Sequence, residues 1–414
     1  MLRIVDLSQA GQFITRKAVR LAEAEKVVAP ILEDVEKRGD EALLEYARKF
    51  DSLEAATVLV SDPEFAGAQS RAVPKFRAAL ETAAANIREY ARGQLPAETS
   101  VTFPDGRRLG QIVRPLDSMG AYIPAGRYPL PSTLLMTVIP AQVAGVKTVC
   151  VASPHPSAEI LAVARFLDVR NVFRMGGAQA IAALAFGTAT VPRVDRIVGP
   201  GNIYVAAAKK LLAGHVGIDF IAGPTEIVII AEDGNPAWIA ADMLAQAEHD
   251  TDASAILLTT SRGLGEAVAT EVSRQLEDLP TAAIAGEAIR KNSAVILCES
   301  LDQAVEASNR LAPEHVSVHD AEVVPLIRHA GSIFIGAGSP EAAGDYASGP
   351  NHVLPTSGAA RLRGGLSAAD FVKVISIQEL SPEALQKLAP AITTLARAEG
   401  LEAHARSVEV RLAR

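Results

Sequence analysis

From Gly110 onward, short runs of β-branched and aliphatic residues alternate with Ala-rich segments of helical length. Runs of the first kind include TVCVAS, EIVIIAE and SAILLTT, and segments of the second kind include EILAVARFL, IYVAAAKKLLAG and PAWIAADMLAQAEH. Strands that alternate with helices of this length predict βαβ units and a parallel sheet. A second series follows with SAVILCES, LDQAVEASNRLA, HVSVH and GSIFIG. The sequence therefore predicts an α/β fold built on parallel sheets.

The segments on either side of this alternation have helical patterns. Residues 14–50 are expected to form two helices. The first is expected to break near Pro30, and the second to have Asp40 as its N-cap. Residues 74–94 predict another amphipathic helix, opened by a proline at its first position. The tail from about residue 380 onward is expected to be mostly helical.

A long Gly- and Pro-rich segment covers residues 336–366. Loops of that length inside a compact domain are usually functional or disordered. This one contains Asp345, Tyr346, Asn351 and His352, and these polar side chains favour a functional loop.

Composition argues for a protein that acts on a small molecule. Aromatic residues make up 4% of the 414-residue chain and the formal net charge is -8, without a long basic run. Such a chain lacks the stacking and basic surface that a nucleic-acid partner requires. We expect no signal peptide and no membrane span, and Cys150 and Cys298 form no C-x-x-C pair, so a cytosolic protein is predicted.

Two strand–helix junctions are candidates for a dinucleotide site. The spacing G-x-G-x-x-G is absent, but VGPGN (198–202) and MGGAQ (175–179) each end a strand and open a helix. Free N–H groups at a helix N-terminus can hold a phosphate or a ribose. The alternative, two ordinary strand–helix turns, is equally compatible with the sequence.

A few side chains could bind a metal ion. Gln246 and His249 are three residues apart on one predicted helix and share a face, although this spacing is common by chance. His352 follows Asp345 in the long loop and His404 lies in the tail helix, and each alone could equally be a surface residue. If Gln246, His249, Asp345 and another histidine converge, the set of N and O donors suits Zn²⁺.

The segment RLAPEHV places Glu314 beside His315, directly after Pro313. Neighbouring residues do not share a face of a helix or a strand, so the two side chains point in different directions. An acid and a base side by side could act together in proton transfer. The alternative is structural: Glu314 caps or forms a salt bridge, and His315 packs.

Several segments, taken in order, resemble one family. The chain resembles histidinol dehydrogenases over nearly its whole length. The segments that carry the resemblance are GDEALLEYARKFD (39–51), AYIPAGRYPLPSTLLM (121–136), MGGAQAIAALAFGT (175–188), VGPGNIYVAAAK (198–209), AGPTEIVIIA (222–231), LAQAEHD (244–250), NRLAPEHV (309–316), AGDYASGPNHVLPTSGAAR (343–361) and AEGLEAHARSVEVRL (398–412).

The resemblance implies one Zn²⁺ per subunit, bound by Gln246, His249, Asp345 and His404. It implies a homodimer in which the C-terminal tail reaches the partner's site. Glu399 and His404 would then complete the zinc and substrate site of the other subunit.

The resemblance also implies roles in catalysis and binding. His315 would be the base for the alcohol proton, and Glu314 would activate the water that attacks the aldehyde. The implied substrate contacts are Thr225, Gln246, His249, His315, Asp345, His352, Glu399 and His404, and the implied NAD contacts are Tyr122, Gln179 and Asn202.

Two departures from the family pattern bear on the substrate. Thr225 stands where the family more often has Ser, and Arg127 stands where a small residue is usual. An arginine there would suit an anionic alcohol such as a sulfonated propanediol, which is the alternative substrate. Glu399 and His404 are retained, and this favours histidinol. A non-catalytic binding protein on the same scaffold is the other alternative.

We expect two nested, incomplete Rossmann-like domains in an intertwined homodimer. The predicted boundaries are an N-terminal arm at 1–19, a main α/β domain at 20–121 plus 227–366, an inserted NAD-binding domain at 122–226, and a helical tail at 367–414.

Overall fold

The structure, a computed structural model, describes residues 2–14, 21–71, 73–125, 128–221 and 223–413. The chain divides into two compact units. The larger unit comprises residues up to Gln94 together with Asp117–Phe371, and the smaller comprises Leu95–Leu116 and the residues from Val372 onward.

Most strands of the described residues have six residues or fewer, and the central strands of the two parallel sheets are buried. In chain order they are β1 (Arg3–Asp6), β2 (Thr99–Thr102), β3 (Arg107–Pro115), β4 (Ser118–Tyr122), β5 (Thr148–Ala152), β6 (Asn171–Phe173), β7 (Arg196–Val198), β8 (Gly217–Ile218), β9 (Glu226–Ile230), β10 (Ser254–Thr259), β11 (Ala294–Leu297), β12 (His315–Val318), β13 (Ser332–Ile335) and β14 (Val372–Leu380).

The α-helices of the same residues are longer and include the predicted Ala-rich segments. In chain order they are α1 (Gly11–Ile14), α2 (Ala22–Arg38), α3 (Asp40–Asp51), α4 (Asp62–Arg71), α5 (Pro74–Gly93), α6 (Pro131–Ala144), α7 (Ala158–Phe166), α8 (Gly177–Phe186), α9 (Ile203–Leu212), α10 (Pro236–Ala247), α11 (Arg262–Glu277), α12 (Ala282–Asn292), α13 (Leu301–Leu311), α14 (Glu341–Tyr346), α15 (Pro382–Ala398) and α16 (Glu402–Leu412).

Two parallel sheets form the larger unit, which confirms the predicted α/β class. One has six strands in the order β1-β11-β10-β9-β12-β13, and the other has five in the order β6-β5-β4-β7-β8. All neighbouring strands in both sheets are parallel.

Alternate residues of β9 point to opposite faces of the six-stranded sheet. Ile227 and Ile229 join one buried cluster, which contains α10, α11 and α12. Val228 and Ile230 join another, which contains α13. Because both faces are covered by helices, the central strands are apolar throughout, as expected for a parallel sheet.

Three helix predictions have different outcomes. The helix at 74–94 is confirmed by α5. The predicted break at Pro30 is wrong, because α2 continues through it to Arg38. Asp40 is not the N-cap of α3: Gly39 precedes the helix, and the Asp40 carboxylate accepts a hydrogen bond from the Thr190 hydroxyl at 2.7 Å. The expected helical start at 14–20 lies largely outside the described residues.

The smaller unit holds the antiparallel sheet β14-β3-β2 and the helices α15 and α16. These helices confirm the prediction of a helical tail from about residue 380, whereas strand β14 was not predicted.

No helix among the described residues is long and apolar enough to cross a membrane. The domain boundaries at 19, 121, 226 and 366 remain a prediction.

Candidate active site

A cleft lies where opposite edges of the two parallel sheets meet. The turns that follow β4, β7 and β8 bring the carboxyl edge of the five-stranded sheet to it, and the residues that precede β9, β10 and β12 bring the amino edge of the six-stranded sheet. The cavity has a volume of about 730 Å³, in the range typical of small-molecule sites. Its walls include Pro124, Tyr128, Pro200, Gly201, Asn202, Phe220, Thr225, His249, Glu314, His315, Asp345 and His352.

Glu314 is buried at the amino end of β12. Its Oε2 accepts hydrogen bonds from the Thr225 hydroxyl and from the Glu226 backbone N–H, the latter at 3.1 Å. Burial raises the pKa of the Glu314 carboxyl to about 8, although these two donors act in the opposite direction. Glu314 is therefore poised to exchange a proton near neutral pH.

His315 is the first residue of β12 and is also buried. Its Nδ1 lies 3.2 Å from Glu341 Oε1 and 3.3 Å from the Glu226 backbone oxygen. Its Nε2 is buried and has no hydrogen-bond partner in the part of the chain that the structure describes. Burial lowers the pKa of His315 to about 3, so the imidazole is neutral and its Nε2 is free to accept a proton from a ligand.

Glu341 is a site residue that the sequence analysis did not identify. It opens the short helix α14, inside the segment that was expected to be a long loop, and its side chain is buried. Burial raises the pKa of Glu341 well above its ordinary value, and the nearby Asp345 and Glu314 carboxylates add to the shift. The only sequence signal was its spacing, because Glu341 and Asp345 are four residues apart and share a helix face.

The predicted metal ligands of the larger unit come together only in part. His249 Nε2 lies 3.8 Å from Asp345 Oδ2. The ligand atoms of His315, Glu341 and Asp345 all lie within 4.8 Å of one another. Burial raises the pKa of Asp345, and His249 acts against that shift. A cluster of nitrogen and carboxylate donors at these separations fits a divalent ion such as Zn²⁺.

The Gln246 amide is fully buried between Thr225 and Glu341. With its nitrogen toward Glu341, it donates to Oε2 at 2.9 Å. With its oxygen toward Glu341, acceptor oxygens face one another, and a proton or a cation is required between them.

His352 joins the segment that carries Asp345 to helix α6, which follows β4 of the five-stranded sheet. Its Nδ1 lies 2.7 Å from the Asp345 backbone oxygen, and its Nε2 lies 3.1 Å from Thr133 Oγ1 on α6. Since a carbonyl can only accept, Nδ1 carries the proton and Nε2 accepts from the hydroxyl. Burial lowers the pKa of His352 to about 4, which keeps the ring neutral.

The predicted NAD contacts occupy different surroundings. Asn202 lines the cavity, and its Oδ1 caps α9 by accepting from Tyr204 N at 3.0 Å. Tyr122 and Gln179 are buried. The Tyr122 hydroxyl accepts from Gly177 N at 3.1 Å, and Gln179 donates to an Asp51 carboxylate oxygen at 3.0 Å.

The same contacts bear on the idea of phosphate binding at helix N-termini. Asp51 also accepts from Gly176 N at 2.9 Å, so a carboxylate already occupies the N-terminus of α8. The N-terminus of α9 is capped by its own asparagine. Four of the N–H groups at these junctions, those of Gly176, Gly177, Tyr204 and Val205, are already bonded within the protein.

Two site residues named from the sequence lie in the smaller unit. Glu399 and His404 belong to the smaller unit, where both are exposed, and their roles in a partner's site stay predictions. Arg127 lies outside the described residues.

The fold and the cleft together define an enzyme that transfers protons. A neutral imidazole whose Nε2 has no partner among the described residues, a carboxyl group with a raised pKa and the Asp345 carboxylate line one cavity, and Glu341 beside them completes a cluster that could hold a metal ion. Perturbed groups that converge in a cavity are typical of active sites.

Comparison with known proteins identifies the enzyme class. The sequence profile of the family described as histidinol dehydrogenase matches residues 14–412. Histidinol dehydrogenase from Geobacter sulfurreducens is 52% identical over 403 residues, covering 94% of each chain. The one from Geobacter metallireducens is 51% identical over 401 residues, covering 94% of this chain and 92% of its own.

Solved structures agree with these relatives. The crystal structure of histidinol dehydrogenase from Elizabethkingia anophelis has a TM-score of 0.95 at 37% identity, and the match covers 100% of this chain and 98% of that one. The chain belongs to the histidinol dehydrogenase family and is therefore an NAD-linked oxidoreductase.

Proposed function

We propose that this chain oxidises L-histidinol through the aldehyde to L-histidine, the last steps of histidine biosynthesis, with two NAD⁺ and one Zn²⁺ per site. The observation that carries the proposal is His315, whose buried Nε2 has no partner among the described residues and lies in the same cavity as Glu314. A four-electron oxidation of an alcohol needs a base for the alcohol proton and a second group that activates water, and these two side chains supply both.

In the first half-reaction His315 Nε2 accepts the alcohol proton. Its neutral state suits this role, because burial suppresses protonation of the ring before the substrate arrives. The Nδ1 side is held by Glu341 and by the Glu226 carbonyl, so the ring keeps one tautomer and one orientation. Bound NAD⁺ would accept the hydride that leaves the carbon in each half-reaction.

In the second half-reaction Glu314 accepts a proton from the water that adds to the aldehyde. A carboxylate whose pKa is raised to about 8 is a stronger base than an ordinary one once it is ionised. His315, after it has released the first proton to solvent, then takes the hydroxyl proton of the hydrate. Hydrogen bonds from the Thr225 hydroxyl and the Glu226 N–H hold the Glu314 carboxylate in place during both half-reactions.

The residues that would hold Zn²⁺ are Gln246, His249 and Asp345, with His404 from a second copy of the chain. Support comes from the short His249–Asp345 separation and from the Gln246 amide beside Glu341. Zn²⁺, when bound, would hold the imidazole and amine of the substrate and so orient the alcohol carbon. Glu399 from the same second copy would complete the substrate site of a homodimer.

We place the dinucleotide on the five-stranded half of the cleft. Parallel sheets bind ligands at their carboxyl edge, and this edge supplies the turns around Pro200 and Phe220. Asn202 would contact NAD from the cavity wall, and Tyr122 and Gln179 would be further NAD contacts. The enzyme would work in the cytoplasm.

The test is NADH absorbance during complete conversion of a limited amount of histidinol. We expect two NADH for each histidinol and loss of turnover after treatment with a chelator. A sulfonated propanediol, offered in the same assay, should not be oxidised. Turnover of that diol with no turnover of histidinol would contradict the proposal.

A further inference from the structure

A buried ion pair joins α9 to the residue that follows β8. Lys209 Nζ lies 2.6 Å from Asp219 Oδ1, and the two side chains are 3% and 0% exposed. Replacing a buried ion pair by apolar residues of similar size often leaves stability unchanged or improves it. The pair therefore invites an explanation beyond the stability of the fold.

Among the described residues, the hydrogen bonds that the two side chains make outside the pair go to the backbone of Gly199 and Phe220. Asp219 Oδ2 accepts from Gly199 N at 2.7 Å, and Oδ1 accepts from Phe220 N at 2.7 Å. Lys209 Nζ also donates to the Gly199 oxygen at 2.6 Å. Both backbone polar groups of Gly199 are thus bonded to the pair.

Gly199 is the residue at which the chain turns from β7 into the cleft. Its φ is +109°, and an added Cβ would lie 2.2 Å from the Tyr122 backbone oxygen, so only glycine fits this close approach. The next residues, Pro200, Gly201 and Asn202, line the cavity. A residue in such a confined conformation needs partners that hold it there.

Phe220 lines the same cavity from the turn that follows β8. The ion pair therefore connects two walls of the cleft, the turn at 199–202 and the segment that begins at Phe220. That segment continues to Thr225, the hydroxyl residue that contacts Glu314. Charge-assisted hydrogen bonds are strong and directional, so the pair fixes the separation of these walls more tightly than apolar packing would.

We propose that Lys209 and Asp219 are positioning residues of the cofactor site: they hold the 199–202 turn and the Phe220 segment at the separation that a dinucleotide requires. This inference rests on the proposed function, which places NAD on the five-stranded half. Neither side chain touches the cofactor. Lys209 cannot serve as a phosphate ligand, because it is buried and its amine is already bonded to Asp219 and Gly199.

The test is the affinity for NADH, measured by fluorescence titration of the full-length chain. The double variant Lys209→Met/Asp219→Asn removes both charges without leaving one unpaired, and it changes side-chain volume little. We expect the NADH Kd and the KM for NAD⁺ to rise at least about tenfold, because small misplacements of binding groups are costly. Metal content and the KM for histidinol should stay within about twofold of wild type.

Lys210→Met is the matched control, since Lys210 is the next residue on α9 and pairs with Glu25 at the surface. It should leave NADH affinity unchanged. If the double variant does not fold, Asp219→Glu takes its place with the same expected direction, because it retains both charges and only lengthens the side chain by one methylene group. A folded variant that binds NADH as wild type does, or that loses kcat without losing NADH affinity, overturns the inference. If wild type itself fails to bind NADH, the proposed cofactor is wrong.

Discussion

His315 Nδ1 lies 3.2 Å from Glu341 Oε1, and the two side chains are 4% and 3% exposed. An imidazole that must accept a proton at Nε2 needs its other nitrogen held as a donor. Glu341 and the Glu226 carbonyl provide that arrangement. Glu341 therefore joins Glu314 and His315, the two catalytic residues that the sequence predicted, as a third member of the group.

The first prediction therefore concerns Glu341. Glu341→Ala should lower kcat by roughly 10²-fold, because the base would lose its orientation. Glu341→Gln retains an acceptor oxygen and should lose less. Steady-state kinetics of both variants checks this order. Glu322→Gln, on the exposed turn after β12, is the control and should behave as wild type. Equal, wild-type kcat in both Glu341 variants would contradict the role.

Glu314 should separate the two oxidations. Glu314→Gln cannot take the proton of water, so the first oxidation should proceed while oxidation of added histidinal falls by about 10²-fold or more. In wild type the aldehyde step should accelerate as pH rises through about 8, because the carboxylate must be ionised to act. Stopped-flow absorbance with alcohol and aldehyde substrates measures both. Full activity of the variant toward the aldehyde would exclude this role for Glu314.

Glu314 also has a predicted effect on stability in the metal-free protein. Its folded pKa of about 8 exceeds the ordinary value of 4.5, so the folded state binds the proton more tightly. Its contribution to stability is then full below about pH 4.5 and is lost as pH rises toward 8. Glu314→Gln lacks this loss.

The free energy of unfolding of Glu314→Gln, relative to wild type, should therefore increase by roughly 3 to 5 kcal/mol between pH 5 and pH 8. Urea unfolding of chelator-treated protein at several pH values checks the difference. Taking the difference between the two proteins removes the contributions of other titrating groups. A difference that does not change with pH would mean that Glu314 is ionised in the folded state.

Metal binding should depend on Gln246 and His249. Gln246→Ala or His249→Ala should lose bound Zn²⁺ and raise the KM for histidinol sharply, because the substrate would lose its anchor. Metal analysis beside kinetics tests this directly. His319→Ala is a suitable control, since that ring contacts only the Asp233 carbonyl among its described hydrogen-bond partners. Full metal content in both ligand variants would place the ion elsewhere.

Local patterns were enough to predict the sheets but not all of their strands. Strands such as β9 and β10 are flanked by Ala-rich helices, and this alternation is visible in the sequence. Strand β1 lies outside the alternating region that begins at Gly110, and β3 and β14 are recognisable only through their pairing with each other. Pro30 did not end α2, because the buried residues before and after it keep the helix on the core.

The site residues likewise divide into those that could be predicted from the sequence and those that could not. Glu314 and His315 are neighbours in the chain, so their pairing could be examined from the sequence. The contact between His249 and Asp345 joins distant segments, and only the family resemblance pointed to it. Glu341 was missed because a buried carboxylate in a Gly- and Pro-rich segment looks like a surface residue until the fold encloses it.

The most direct test of the account is the turnover of His315→Asn, measured together with its zinc content. We predict full zinc content, an unchanged NADH affinity and a kcat for histidinol that falls by roughly 10²- to 10⁴-fold, the usual contribution of a general base. Turnover near the wild-type rate in a zinc-loaded variant would show that His315 is not the base, and the proposed chemistry would fail.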